Sequence, residues 1–204
     1  MSSRPSRLPP ACSRCRPTPD QAGFVRLAGR LRLEDGAELT WSAADGSRGR
    51  RWRAIAIKDG TITHAALIEV DRDGRPSRFE LSTPAGMLVL HPAPSGREIH
   101  GNVVPAMGEG VRPLAFAWGP DHELEVAGRP LASVVAVHRR RSQVVVGSHV
   151  DIDVLSIAPE LAVVAGRRRF ERLSGTRWRV GAVELEVDAD GLPVGGTRWA
   201  LEVD

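Results

Sequence analysis

From Phe24 onward the apolar side chains of this chain recur at every second position, and a period of two confines a segment to a half-buried β-strand. Val25, Leu27, Leu31 and Leu33 point one way, with Arg26, Arg30 and Arg32 opposite. Ile62, Ala66, Ile68 and Val70 alternate with Thr61, Thr63, Glu69 and Asp71. The same pattern sets Leu114, Phe116 and Trp118 on one face and parts Leu124 and Val126 from Glu123 and Glu125. It parts Val183, Leu185 and Val187 from Glu184, Glu186 and Asp188, and it returns in Trp199, Leu201 and Val203.

The punctuation between these runs is Asp-Gly, at Asp35-Gly36, Asp45-Gly46, Asp59-Gly60, Asp73-Gly74 and Asp190-Gly191. Asp-Gly supplies the positive φ angles of tight hairpin turns, and strands joined by tight turns are antiparallel neighbours. About ten to thirteen strands follow from the pattern. Pro130 to Arg141 is the one segment with a helical option, since Pro130 suits a first helical turn. Ser133, Val134, Val135 and Val137 favour a strand there.

So many strands must curl, because each pair adds about −20° of twist. The expected fold is all-β: one antiparallel domain over residues 24–204, a strongly curved β-roll or barrel-like sheet with an apolar concave side. Two stretches match within it. Arg51-Trp52-Arg53 precedes Glu69-Val70-Asp71-Arg72-Asp73-Gly74-Arg75-Pro76, and Arg177-Trp178-Arg179 precedes Glu186-Val187-Asp188-Ala189-Asp190-Gly191-Leu192-Pro193. Two related halves would explain the match, and so would convergent hairpin chemistry.

Residues 1–23 hold Ser, Pro and Arg with almost no apolar side chains, which predicts a disordered leader. Cys12 and Cys15 are both in it, and a lone C-x-x-C is half of a zinc site, so no metal or cofactor is expected. Aromatic residues are 4% of the chain and Tyr is absent, so the core must be mainly aliphatic. Lys58 is the only lysine among 28 basic residues, and the basic side chains are spread along the chain. A nucleic-acid binder would gather them on one face with stacking aromatics, so no nucleic acid is expected as a partner. No apolar run reaches the ~20 residues of a membrane helix, and no signal peptide is evident, so a cytoplasmic location is the expectation. The oligomeric state is not encoded in these patterns.

His149, Asp151 and Asp153 fall on one face of a strand, about 6.5–7 Å apart in succession. They could hold a divalent cation or pair a base with acids, but Val150, Ile152 and Val154 would then face the core and leave the trio in water. The two Asp-x-Asp-Gly turns lack the further acids of a calcium loop. His91 and His100 flank a Pro/Gly-rich turn, so a hairpin would bring the imidazoles together, near Arg97 and Glu98. No nucleophile elbow, phosphate loop or zincin helix is present. The five tryptophans, Trp41, Trp52, Trp118, Trp178 and Trp199, suit a core, or the rim of an apolar groove for an amphipathic ligand.

Pro159-Glu160-Leu161-Ala162-Val163, Arg168-Arg169-Phe170-Glu171-Arg172-Leu173, Trp178-Arg179-Val180, the segment from Glu186 to Pro193, and Trp199 together carry a resemblance. About a quarter of the chain, its C-terminal end, resembles that of a bacterial family of proposed glycolipid-binding proteins, thought to form spiral β-rolls. The resemblance implies non-enzymatic binding of an amphipathic, lipid-like ligand. Trp52, Trp118, Trp178, His91 and His100 are the candidate ligand-binding residues. A small-molecule enzyme using the His, Asp and Glu groups above is the alternative, as is an interaction module built on exposed strand edges.

Overall fold

A computed structural model describes residues 26–108, 110–194 and 198–201, and within these the alternation becomes fourteen strands and one helix. The expected leader, Cys12 and Cys15 included, lies outside the described residues, as does Val203. The strands are β1 (Arg26–Arg32), β2 (Glu38–Gly46), β3 (Gly49–Lys58), β4 (Thr61–Val70), β5 (Pro76–Thr83), β6 (Gly86–Pro92), β7 (Glu98–Pro105) and β8 (Arg112–Ala117). After β9 (Glu123–Val126) comes α1 (Pro130–Arg140), followed by β10 (His149–Ile157), β11 (Val163–Arg172), β12 (Arg177–Val180), β13 (Val183–Glu186) and β14 (Arg198–Leu201).

One nine-stranded sheet has the order β14-β1-β2-β3-β4-β5-β6-β7-β8, every neighbour antiparallel. A second sheet has the order β13-β12-β11-β10-β9. The fold is therefore all-β, as the period predicts. One turn differs from expectation. Between β2 and β3 the positive φ falls at Gly49 and not at Gly46, and Ser47 and Arg48 form the tip. A side chain at Gly49 would sit 2.0 Å from the Val70 carbonyl oxygen, so glycine is required there for close approach to β4.

Two expectations are corrected by one element. The segment from Pro130 is a helix, with Pro130 in its first turn, and it joins β9 to β10 as a parallel pair. A parallel pair needs a crossover, and α1 supplies it. The β-branched run misleads because α1 is enclosed: Leu131, Ala132, Ser133, Val134, Val135, Ala136 and Val137 are all buried. A helix apolar on every side signals burial between layers, and here burial overrides the weak strand preference of valine. β9 is enclosed likewise. Glu123, expected on a wet face, is 1% exposed alongside Leu124 and Val126.

One core cluster runs through both sheets and α1. It includes Trp41, Trp52, Ile68, Phe79, Leu81, Leu88, Ile99, Val154, Phe170 and Trp178. The two matching stretches are built alike within it. Trp52 pairs with Ile68 and Trp178 with Leu185, each two residues before the valine that leads the turn. Val70 pairs with Pro76, and Val187 with Pro193. Asp71 Oδ1 accepts from the backbone N–H of Asp73 and Arg75, and Asp188 Oδ1 from those of Asp190 and Leu192. Their unequal spacing in sequence is a difference in hairpin length alone.

Candidate functional site

Three hairpin turns, the connection from β8 to β9 and the last turn of α1 meet at one end of the molecule. Two of the turns, β4–β5 and β6–β7, form a groove of about 420 Å³ with that connection and the helix end, lined by Arg75 and Ser77, by residues 92–96, by Trp118, Pro120 and His122, and by Arg139. A second groove of about 580 Å³ adjoins it across Asp71 and Ser77, and the β2–β3 turn with Arg48, Arg50 and Arg51 lines it. Trp118 is 8% exposed, and the His122 ring lies 5.3 Å from the indole, tilted by 42°. The prolines of the β6–β7 turn and Pro120 add apolar wall. Among the charged groups, the Arg75 guanidinium is half exposed, with only a 4.0 Å contact to Asp73.

A buried ionic cluster fixes this end. Glu123 Oε1 accepts from Arg139 Nη1 and Arg140 Nε, both at 2.9 Å. Arg140 also donates to Asp121 Oδ1, the Asp121 carbonyl and Gln143 Oε1. Burial pushes the Glu123 carboxyl above the usual carboxylate range, with the two guanidiniums opposing that shift. Arg139 further donates to the carbonyls of His122 and Pro120, so the groove wall is tied to the helix.

His138 joins α1 to both matching stretches. Its Nδ1–H donates to the Asp190 carbonyl at 2.7 Å, which leaves Nε2 to accept from Arg50 Nη1 at 3.3 Å. The His138 ring meets Trp52 edge-on at 5.6 Å. Burial first, then the charge of Arg50, holds this imidazole below its usual titration range. Arg50 is clamped by Asp45 and lies over Trp52, while Arg172 lies over Trp178.

The candidate residues from the sequence divide. Trp118 lines the first groove, whereas Trp52 and Trp178 are fully buried, at 0% and 1% exposure. The sheet face expected to be concave and open is filled: both indoles belong to the one buried cluster that runs through the two sheets and α1, and Trp52 meets His138 of the helix. His91 and His100 stand directly opposite each other on β6 and β7, both exposed, with His100 Nε2 3.2 Å from Glu98 Oε2. Asp151 and Asp153 face Arg169 and Arg167 across β10 and β11, and His149 stands opposite Glu171. That trio occupies an exposed face of the smaller sheet, apart from the His91–His100 face of the larger one. Ile152 and Val154 face the core as expected, but Val150 is 36% exposed.

Sequence reasoning missed Glu123, Arg139, Arg75 and His122. The signal available was Arg139-Arg140-Arg141 on the helical option, with an acid three residues past Pro120. Among the described residues no three His, Cys, Asp or Glu side chains are gathered as a metal centre. Among the described residues no helix is long and apolar enough to cross a membrane. Comparison with protein-family models, characterised proteins and solved structures finds no match.

Proposed function

We propose that this protein binds a small amphipathic ligand in the groove beside Trp118. The single observation that carries the reading is the pairing there of an indole and proline wall with a half-exposed, weakly engaged guanidinium. An apolar body would lie on Trp118, Pro92 and Pro94, and a polar or anionic head would reach Arg75 and His122. Few convergent polar groups on an apolar wall are the usual form of a small-molecule site. The resemblance of the C-terminal hairpins to proposed glycolipid-binding proteins supports the same ligand class. The loop end is taken as the seat because the inner sheet face is filled by the buried core.

Native mass spectrometry and tryptophan fluorescence with dodecyl phosphate, lauric acid and octyl glucoside test the proposal. The expected result is a one-to-one adduct with the anionic amphiphiles, weakened about tenfold by Arg75→Ala through the lost charge-assisted hydrogen bond. No adduct with any of the three, or an adduct indifferent to Arg75→Ala and His122→Ala, would overturn it.

A further inference from the structure

The outer face of the nine-stranded sheet holds a second constellation, on the far side of the β6–β7 hairpin from the core. We propose that His91, His100 and Glu98 form an open surface site for a divalent transition-metal cation, Zn²⁺ by the chemistry of the donors. His91 and His100 are register partners. The Ala93 N–H donates to the Glu98 carbonyl at 2.8 Å, so Ala93 and Glu98 form a hydrogen-bonded pair. Such pairs recur at every second residue of an antiparallel ladder, so His91 and His100 form one too. Their Cβ atoms are then about 5 Å apart on one face. Two imidazoles on that base can bring ring nitrogens to ~3 Å, the span of two ligands each about 2.0–2.1 Å from one Zn²⁺.

Glu98 lies two residues before His100 on the same face. Its Oε2 stands 3.2 Å from His100 Nε2, close to the edge of a tetrahedron of metal ligands with such bonds. As the side chains stand, Glu98 and His100 meet and His91 is the third donor across the ladder. All three are exposed, so a rotamer change at His91 closes the set without disturbing the core. The nearest cation on β5, Arg78, is engaged by Glu80. Two imidazoles and one carboxylate select Zn²⁺, Ni²⁺ or Cu²⁺ over Mg²⁺ and Ca²⁺, and they leave a position for water or an anionic group.

The test uses the full chain carrying Cys12→Ser and Cys15→Ser, so that these two thiols hold no metal. Isothermal titration with ZnCl₂ at pH 7.5 compares this protein with versions that add His91→Ala, His100→Ala, Glu98→Gln or, as a control, His149→Ala. Far-UV circular dichroism checks that each stays folded, which these exposed positions favour. The expected result is one equivalent of Zn²⁺ bound, at least about tenfold weaker in either His91→Ala or His100→Ala, since even losing a supporting partner of a ligand costs that much. His149→Ala should bind as the parent does. Absence of saturable binding, binding indifferent to His91 and His100, or equal loss in His149→Ala would overturn the assignment.

Discussion

At its C-terminal end α1 is fastened by four consecutive side chains, His138, Arg139, Arg140 and Arg141, each holding a carboxylate or a backbone carbonyl. At its N-terminal end Arg129 alone reaches out, to Asp35 at 2.9 Å, and no side chain caps the helix. Beside that end sits His64, 3% exposed, with no hydrogen-bond partner for either ring nitrogen. The same helix is thus buried over satisfied polar groups at one end and over an unsatisfied one at the other. A helix apolar along its length has its orientation set at the ends, and the dense end is the one that shapes the groove.

The largest effect should come from breaking the dense end. Glu123→Ala leaves the buried guanidiniums of Arg139 and Arg140 without their shared carboxylate. Removing one partner of a buried ion cluster costs about 3–5 kcal/mol. Urea denaturation should show that loss. Ligand binding at the groove should fall with it, because Arg139 carries the wall through Pro120. A loss under 1 kcal/mol would mean that burial of α1 alone fixes the helix.

The sparse end should fail in acid. Burial, and then the charge of Arg129, pull the His64 pKa from 6.5 down to about 4. The unfolded chain therefore binds the proton first. The His64 contribution is intact above pH 6.5, and about 3 kcal/mol is lost as the pH falls through 4. His138 titrates in the same direction, so the wild-type curve alone does not separate the two ends. His64→Leu does: it should be more stable than the parent at pH 5 and should flatten the acid limb, since an apolar group replaces an unpaired polar one. An unchanged acid limb would show that His64 finds a partner.

The alternation made most of the strands legible, because period two is a direct property of a pleated chain with one buried face. It failed where an element is enclosed on both sides. β9 and α1 lose their polar face when a layer covers it, so Glu123 looked wet and the valines of α1 looked like a strand. The His91–His100 pairing was legible because a hairpin fixes its register locally. The groove was not, since its parts come from the β4–β5 and β6–β7 turns, the β8–β9 connection and α1 and meet only through long-range packing. The likeness of the two Trp-turn stretches was visible, but its content was hidden until register showed each Trp paired with the residue two before its turn valine.

A smaller effect separates the two stretches at the dense end. Gly191 and Gly74 both have positive φ, +74° and +76°. A Cβ on Gly191 would stand 2.9 Å from His138 Nδ1 and 3.0 Å from the His138 Cα, which is backbone and cannot yield. On Gly74 it would meet only the Arg139 side chain, at 3.3 Å, which can. Gly191→Ala should therefore cost roughly 2–4 kcal/mol and Gly74→Ala roughly 1–2, the left-handed strain alone. Equal losses in thermal melts would show that the His138 contact is not a constraint on the second turn.

The smallest effect belongs to the single fastening at the N-terminal end. Arg129 and Asp35 form a partly exposed pair, and such pairs contribute little to stability. Arg129→Ala should leave the melting temperature nearly unchanged, and its signature is electrostatic. The hydrogen bond from Arg129 is the main cause that holds the Asp35 carboxyl below its ordinary range, so Asp35 should titrate higher in the variant. Arg129 also lowers the His64 pKa whereas Asp35 raises it. Arg129→Ala should therefore move His64 up and Asp35→Asn should move it down, a pair of opposite shifts that NMR titration of the imidazole resolves. Shifts of the same sign in both variants would mean that a change in packing, and not charge, governs His64, and the contrast between the two ends of α1 would then be one of burial alone.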